Sequence, residues 1–254
     1  MTDLLISRPE DGVLALRLNR PKARNALSIG LLGEIRAALD AARDDDSVRA
    51  VVLSGDETAF SAGADIKEMP SGGIPMWGQR DRLLAWKTIE RFPKPLLAAV
   101  EGFALGGGCE LCLLCDMVIA SDTARFGQPE IRIGAFPGDG GTQRLPRAIG
   151  KSRALWMMMT GNTIDARTAA EWGLATERVP AGRALARAVD IARDITQMSP
   201  IAIGMIKEEV LMTYGKPLDE SLSLERKLLL WQTEDHDEGI AAFTEKRKPV
   251  YKGR

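Results

Sequence analysis

Residues 102–116 read GFALGGGCELCLLCD. Gly106, Gly107 and Gly108 stand between the strand-like run LLAAV (96–100) and the apolar run ELCLLCD. A strand that turns through glycines into a helix presents unpaired backbone N–H groups at the positive end of the helix dipole. Glycine has no Cβ, so a ligand can come close to that backbone. Such a place stabilises a phosphate or an oxyanion, and tight helix packing explains a lone triplet equally well. The stretch has no GxGxxG pattern and no Lys-Ser/Thr after the glycines, which disfavours nucleotide phosphates and favours an oxyanion.

The flanking pattern sets the fold class. LLISR (4–8) and VLALRL (13–18) read as short strands joined by a Pro-Glu-Asp-Gly turn, and AVVLSG (50–55), KPLLAAVEGFA (94–104) and MVIAS (117–121) as three further strands. Ser28 is a candidate N-cap for a helix to about Arg43, with Leu31, Leu32, Ile35, Leu39 and Ala42 on one face. Near-continuous apolar strands separated by helices predict an α/β architecture whose sheet is covered by crossovers. Beyond about residue 150 the strand signal fades except at ATERV (175–179), and the rest reads as amphipathic helices broken at Ser199-Pro200 and Gly215-Lys216-Pro217. A core over 1–195 and a helical module over 196–254 are therefore expected. The Gly/Pro-rich stretch 69–79 reads as a mobile loop.

Bulk properties narrow the function classes. The chain has 254 residues, 45% hydrophobic and 27% charged, with 34 Lys and Arg against 35 Asp and Glu. A balance so near zero provides no global field for nucleic acid or a membrane surface. The N-terminus lacks the basic start and long apolar segment of a secretory signal, and no apolar stretch approaches the ~20 residues of a membrane span. Three cysteines in a chain this long argue for a reducing compartment, so a cytoplasmic protein is expected over a processed mitochondrial one.

A second set of accessible amides is offered by FSAGADIKEM (60–69), where Ser61, Ala62, Gly63 and Ala64 are small and follow a strand. Two accessible turns of this kind are what a two-donor oxyanion hole requires. Glu110 opens the apolar run after the glycines, and Glu130 sits in FGQPEIRIGAFPGDGG (126–141). A glutamate in apolar surroundings is costly unless it is paired or protonated, and two of them invite an acid–base assignment. The structural alternatives are a helix-dipole carboxylate for Glu110 and a surface loop acid for Glu130. The C-x2-C-x2-C spacing of Cys109, Cys112 and Cys115 runs along one side of a helix, which favours buried free thiols over a metal cluster. His236, the only histidine, reads as solvated, and Trp156 with Met157, Met158 and Met159 reads as core. No histidine lies near an activated serine, so no Ser-His-Asp triad is indicated.

NRPKARNAL (19–27), FSAGADIKEM, GFALGGGCELCLLCD, FGQPEIRIGAFPGDGGTQRLPRAIG (126–150) and the ending FTEKRKPVYKGR (243–254) together resemble the enoyl-CoA hydratase (crotonase) family in order and spacing. The resemblance implies a crotonase-like spiral of ββα units with a C-terminal α-helical trimerisation region, assembled as a trimer or a dimer of trimers. It implies an acyl-CoA thioester substrate, with coenzyme A as part of that substrate and no separate cofactor or metal. Carried over by motif, Ala64 and Gly107 supply the oxyanion-hole amides. Glu110 activates a water, Glu130 protonates C2, and the Gly138 backbone helps place the water or product hydroxyl. Lys22, Ala23, Ala62, Ala64, Asp65, Ile66, Lys67 and Gly107 line the CoA thioester, and Phe243 and Lys246 touch CoA, in some members from a neighbouring subunit. The reaction implied is reversible syn hydration of a trans-2-enoyl-CoA to a 3-hydroxyacyl-CoA. The alternatives are other acyl-CoA chemistry such as isomerisation and, against both glutamates and the neutral charge, a non-catalytic CoA- or RNA-binding scaffold. LLISR and TEDHDEGIAAFTEKRKPVYKGR (233–254) resemble bacterial members of phenylacetate catabolism. One position departs from the pattern: Asp139 stands in PGDGG where alanine or phenylalanine is common. A third acid there could perturb the glutamates, but the favoured expectation is that it faces solvent.

Overall fold

The computed structural model describes residues 2–68, 80–224 and 227–254, without the side chains of 223–228. The 69–79 stretch and its Trp77 lie outside the described residues.

Strands β1 (Leu4–Glu10), β2 (Val13–Leu18), β3 (Ala50–Ser54), β4 (Ala59–Ser61), β5 (Leu96–Val100), β6 (Phe103–Leu105), β7 (Met117–Ser121), β8 (Arg125–Gly127), β9 (Thr163–Asp165) and β10 (Glu177–Val179) form two sheets. One runs β1-β2-β3-β5-β7-β10 and the other β4-β6-β8-β9. From β3 to β8, consecutive strands alternate between the sheets, so each strand–strand–helix unit in that span gives one strand to each. Pairs β3–β5, β5–β7, β4–β6 and β6–β8 are all parallel. Repeating that unit winds the chain into a spiral, with α1 (Ile29–Asp44), α2 (Arg80–Glu90), α3 (Gly107–Leu114) and α4 (Gly141–Ile149) as the returns.

The large sheet is buried on both faces, which is why its strands lack polar alternation. In β3, Ala50 and Val52 face α7 (Ala184–Thr196) through its small stripe Ala184, Ala188 and Ala192. Val51 and Leu53 face the main core with Leu31, Leu32, Ile35 and Leu39 of α1. Helix α1 starts where Ser28 Oγ accepts the Leu31 N–H at 3.1 Å, and Glu68 Oε2 accepts the Ile29 N–H at 2.8 Å. The helix is thereby tied to the segment that follows β4.

The structure departs from the sequence reading at several points. KPLLAAVEGFA is two strands, because the chain passes from the large sheet to the small one at Gly102, where a Cβ would stand 1.9 Å from the Thr58 carbonyl oxygen. The short strands β4, β8 and β9 and helices α2 and α4 went unread. Only Met157 of the 156–159 cluster is fully buried; Trp156 and Met159 are exposed, since α5 (Lys151–Thr160) turns one stripe inward. His236 is half-buried in the first turn of α11 (Glu234–Glu245), where its amide donates to Thr233 Oγ1 at 3.2 Å. Cys109 and Cys112 are buried and Cys115 half-buried, all as free thiols, and burial pushes them well above the ordinary thiol range.

Helix α8 (Pro200–Met212) is docked on the core by Lys207, whose Nζ donates to Asp116 Oδ2 at 2.7 Å and to the Lys94 carbonyl at 2.9 Å. Buried Asp235 gathers the last turns, accepting from Ser199 Oγ at 2.8 Å and from the Lys252 N–H at 2.7 Å. Among the described residues, no helix is long and apolar enough to cross a membrane.

If α1 closes the core as described, Leu39→Ala should cost about 2–5 kcal/mol in urea unfolding, and Ser28→Ala roughly 1 kcal/mol. A Leu39→Ala loss too small to measure would contradict this packing.

Candidate active site

The three glycines do three different things. Gly106 is the N-cap of α3 at φ 51°, and a Cβ there would come within 2.8 Å of Glu130 Oε1. Gly107 is the first helical residue, and its missing Cβ would stand 3.4 Å from the Ala64 amide nitrogen. A Cβ on Gly108 would meet the Ser61 carbonyl oxygen at 2.3 Å, so this glycine lets α3 seat against β4. Ligand approach and tight packing, the two readings of the triplet, fall on adjacent residues.

Ala64 is brought opposite Gly107 by the 19–27 segment. The Leu27 N–H donates to the Gly63 carbonyl at 2.8 Å, and the Ala62 N–H donates to the Arg24 carbonyl at 2.9 Å. Buried Asn25, held at φ 54°, donates from Nδ2 to the Ala59 carbonyl at 2.8 Å and accepts the Arg20 N–H at 2.8 Å. Arg20 pairs with buried Asp65 at 2.9 Å. The Asp65 side chain thus holds the loop in place. Neither the Ala64 nor the Gly107 N–H donates to an acceptor among the described residues. Two unpaired amides meet at a helix N-terminus, where a developing oxyanion would be stabilised by both.

Glu110 lies one turn further along α3 and is 1% exposed. Its Oε1 accepts the N–H groups of Asp139 and Gly141, both at 2.7 Å. Gly141 is the first residue of α4, so a carboxylate in the first turn of one helix also caps the start of another. No partner binds its Oε2 among the described residues. Burial, then the Asp139 charge and more weakly the Glu130 charge, raise its pKa, while the two amides lower it; the result is about 7. Glu130 sits in a 3-10 turn (Pro129–Ile133) after β8, half-buried, with Oε2 buried and unpartnered. Burial pushes its carboxyl above the ordinary range, with Asp139 adding to the effect. Both glutamates therefore resist ionisation, and each sits beside the Gly106–Glu110 turn.

Two residues of this site, Gln128 and Arg82, are not singled out by the sequence, and a third, Asp139, is placed otherwise than expected. Gln128 is completely buried with both amide atoms unpartnered, and a Cβ on Gly141 would come within 2.8 Å of its Nε2 and 3.0 Å of Glu110 Oε1. Asp139 does not face solvent: its side chain is 4% exposed and forms an ion pair with Arg82 of α2, itself 2% exposed. The tertiary partner overrides the exposed-loop expectation. The residue signal for Gln128 was its place beside Pro129-Glu130; nothing local marks Arg82.

The remaining expected residues are distributed around this centre. Gly138 is exposed in the turn that delivers the Asp139 and Gly141 amides. Lys22 and Ala23 form a 3-10 turn with Pro21, and Lys67 follows exposed Ile66. Lys22, Lys67 and Ala62 are exposed at the rim of the 19–27 and 62–68 loops. Phe243 and Lys246 end α11 exposed, and no hydrogen bond or ion pair links them to these loops within one chain. Trp86 is buried in the core, with the Arg82 guanidinium 5.6 Å from its ring centroid. Grooves also open beneath α8, lined by residues such as Lys94, Ile201, Gly204 and Leu211, and contain none of the groups above. Among the described residues, no cluster of three or more His, Cys, Asp or Glu is arranged to hold a metal ion.

Comparison with known proteins bears on this arrangement. Residues 8–254 match the family model described as enoyl-CoA hydratase/isomerase. A probable enoyl-CoA hydratase of Rhizobium meliloti is 46% identical, with 99% of each chain covered. The 2,3-dehydroadipyl-CoA hydratase of Escherichia coli is 44% identical over 100% of both chains. A crystal structure of enoyl-CoA hydratase from Bacillus anthracis superposes with a TM-score of 0.92 at 37% identity, covering 99% of this chain and 100% of that one.

The glutamate geometry makes a prediction independent of any substrate. Between the ordinary value of 4.5 and about 7, folded Glu110 keeps a proton that the unfolded chain has released. Its contribution to stability therefore falls as pH rises through that window and is flat above it. Glu110→Gln keeps the acceptor for both amides, so it should gain on the parent protein between pH 5 and pH 8 by roughly 2–3 kcal/mol in chemical unfolding. Parallel stability–pH curves for the two proteins would show that Glu110 ionises normally.

Proposed function

Because the chain belongs to the enoyl-CoA hydratase/isomerase family, we propose that this site adds water across the C2=C3 bond of a trans-2-enoyl-CoA through Ala64, Gly107, Glu110 and Glu130. The observation that carries the assignment is their convergence: two unpaired amides and two proton-retaining carboxyls around the first turn of α3.

The thioester oxygen accepts the Ala64 and Gly107 N–H groups. As hydroxide equivalent reaches C3, the alkene π electrons move toward C2 and the carbonyl, and charge accumulates on that oxygen at the helix N-terminus. Each such donor is typically worth about 3–4 kcal/mol in the transition state. Glu110, with Oε1 fixed by two amides, uses Oε2 to take one proton from water. Glu130 gives a proton to C2, and the enolate collapses to the 3-hydroxyacyl thioester. Water is thus divided between C3 and C2, and the two carboxyls are left with their single proton exchanged. A pKa of about 7 suits Glu110 to this task, because a base near the working pH is both available and strong.

The substrate's CoA portion is assigned to the 22–23 and 62–67 loops, whose exposed lysines suit its phosphates. The resemblance to phenylacetate-type proteins and the Escherichia coli relative favour a dicarboxylic 2-enoyl-CoA within that class. A homotrimer or dimer of trimers is assigned to the 196–254 region, where Ile206, Val210, Tyr214, Leu218 and Trp231 are exposed. Free thiols and the absence of a spanning helix among the described residues suit the cytoplasm.

The test is loss of the conjugated-thioester absorbance across short, long and dicarboxylic 2-enoyl-CoA substrates. Glu110→Gln and Glu130→Gln should each lower kcat by about 10²–10⁴-fold, while binding of a saturated acyl-CoA by calorimetry stays nearly unchanged. Absence of turnover with every 2-enoyl chain would exclude hydration, and unaffected kcat in either variant would remove that glutamate from the reaction.

A further inference from the structure

The hydration reading uses two carboxyls, yet the structure buries a third beside them. Asp139 stands in the 138–141 turn, whose amides at 139 and 141 hold Glu110 Oε1. Its side chain is turned away from solvent and paired with Arg82, from a helix distant in sequence. Burying both partners of an ion pair is expensive, and an apolar pair of like volume is often neutral or better for stability. A buried pair is therefore weak evidence of a purely stabilising role, and its place against Glu110 invites another explanation.

We propose that Asp139, clamped by Arg82, is a positioning residue for Glu110: the pair ties α2 to the 138–141 turn, fixes both amides on Oε1, and places the Asp139 charge against the carboxylate. This deepens the hydration reading and rests on it for the role of Glu110. Among the described residues, these titratable and charged groups face the site. Helix α3 brings Glu110 and Cys109, the 3-10 turn brings Glu130, α2 brings Arg82, and α4 brings Arg144, whose Nη1 donates to the Asp139 carbonyl at 3.1 Å while Nη2 reaches Glu90 at 2.5 Å. Both guanidiniums favour the charged form of Asp139, against a burial that still leaves its carboxyl above the ordinary range. The cations therefore hold Asp139 while its charge opposes ionisation of Glu110 and Glu130. Glycine at 140, with φ 102°, is what lets the two flanking amides converge on one oxygen. The Arg82 tether fixes the turn that carries them.

Asp139→Asn separates the charge from the tether, because asparagine keeps an acceptor for Arg82 and the same backbone N–H. The first measurement is the Glu110 titration in ligand-free protein by carboxyl-13C-glutamate NMR, assigned with Glu110→Gln. Removing the anion should lower the midpoint by roughly half a pH unit or more, and the acid limb of kcat/KM should move to lower pH in step. Asp139→Ala also removes the tether; its kcat should fall about 10- to 100-fold with KM nearly unchanged, and Asp139→Asn should recover most of that loss at its shifted optimum. Should Asp139→Asn fail to fold, Asp139→Ser, which also removes the charge and keeps an oxygen acceptor at this position, must give a downward midpoint shift. A Glu110 midpoint identical to the parent, or an Asp139→Ala kcat equal to the parent, overturns the proposal. The NMR arm needs no turnover, so a parent protein that hydrates nothing defeats the functional reading and leaves this measurement to decide the electrostatic one.

Discussion

A carboxylate placed inside a protein either finds hydrogen bonds enough to replace water or takes up a proton. Glu110 is held between those outcomes, and much of the neighbouring structure exists to hold it there. Two amides from the start of α4 bind one oxygen, and its own helix begins three residues earlier, so two helix N-termini favour its charge. Near-complete burial and the anion of Asp139 oppose it more strongly. The balance point near 7 is a property of the fold, since it depends on α3 and α4 meeting end to end, on Gly108 letting α3 close on β4, and on Gly140 shaping the turn.

The spiral supplies those meetings with little elaboration. From β3 to β8, each unit delivers a strand to the large sheet and a short strand to the small one before the chain turns into the next helix. Residues after β4, β6 and β8 are therefore neighbours in space although about 20 to 66 positions apart: the Ala64 loop, the Gly106–Glu110 turn and the Glu130 turn. The large sheet, buried on both faces, gives the platform its rigidity. The 19–27 loop then fixes the Ala64 amide through Asn25, Leu27 and the Arg20–Asp65 pair.

What the sequence disclosed follows from the range of the forces involved. Strands β3, β5 and β7 were legible because burial on both faces writes a continuous apolar run, and α1 because its periodicity and Ser28 cap are local. Strands β4, β6, β8 and β9 have three residues each, too few to show a period, and exist because a neighbouring unit presents an edge. The amides and both glutamates were legible through motif order, and their convergence is a statement about geometry that the spacing alone does not contain. Asp139 defeats local reasoning for the opposite reason. Acid in a Gly/Pro turn ordinarily means solvent, and its inward orientation is decided by an arginine 57 positions away.

The distribution of charge explains why a site with three carboxyls suits addition of neutral water. A cation set directly against Glu110 or Glu130 would favour the ionised form and weaken that group as a proton donor. Without Arg82, buried Asp139 would lose its counter-charge and take up a proton more readily. Instead the guanidiniums favour the charged form of Asp139, against a burial that still leaves its carboxyl above the ordinary range. The Asp139 charge in turn raises both glutamates, with burial the larger cause in each. On the proposed reaction one carboxyl accepts as the other donates, and a pair raised by its surroundings suits that exchange better than two ordinary surface acids.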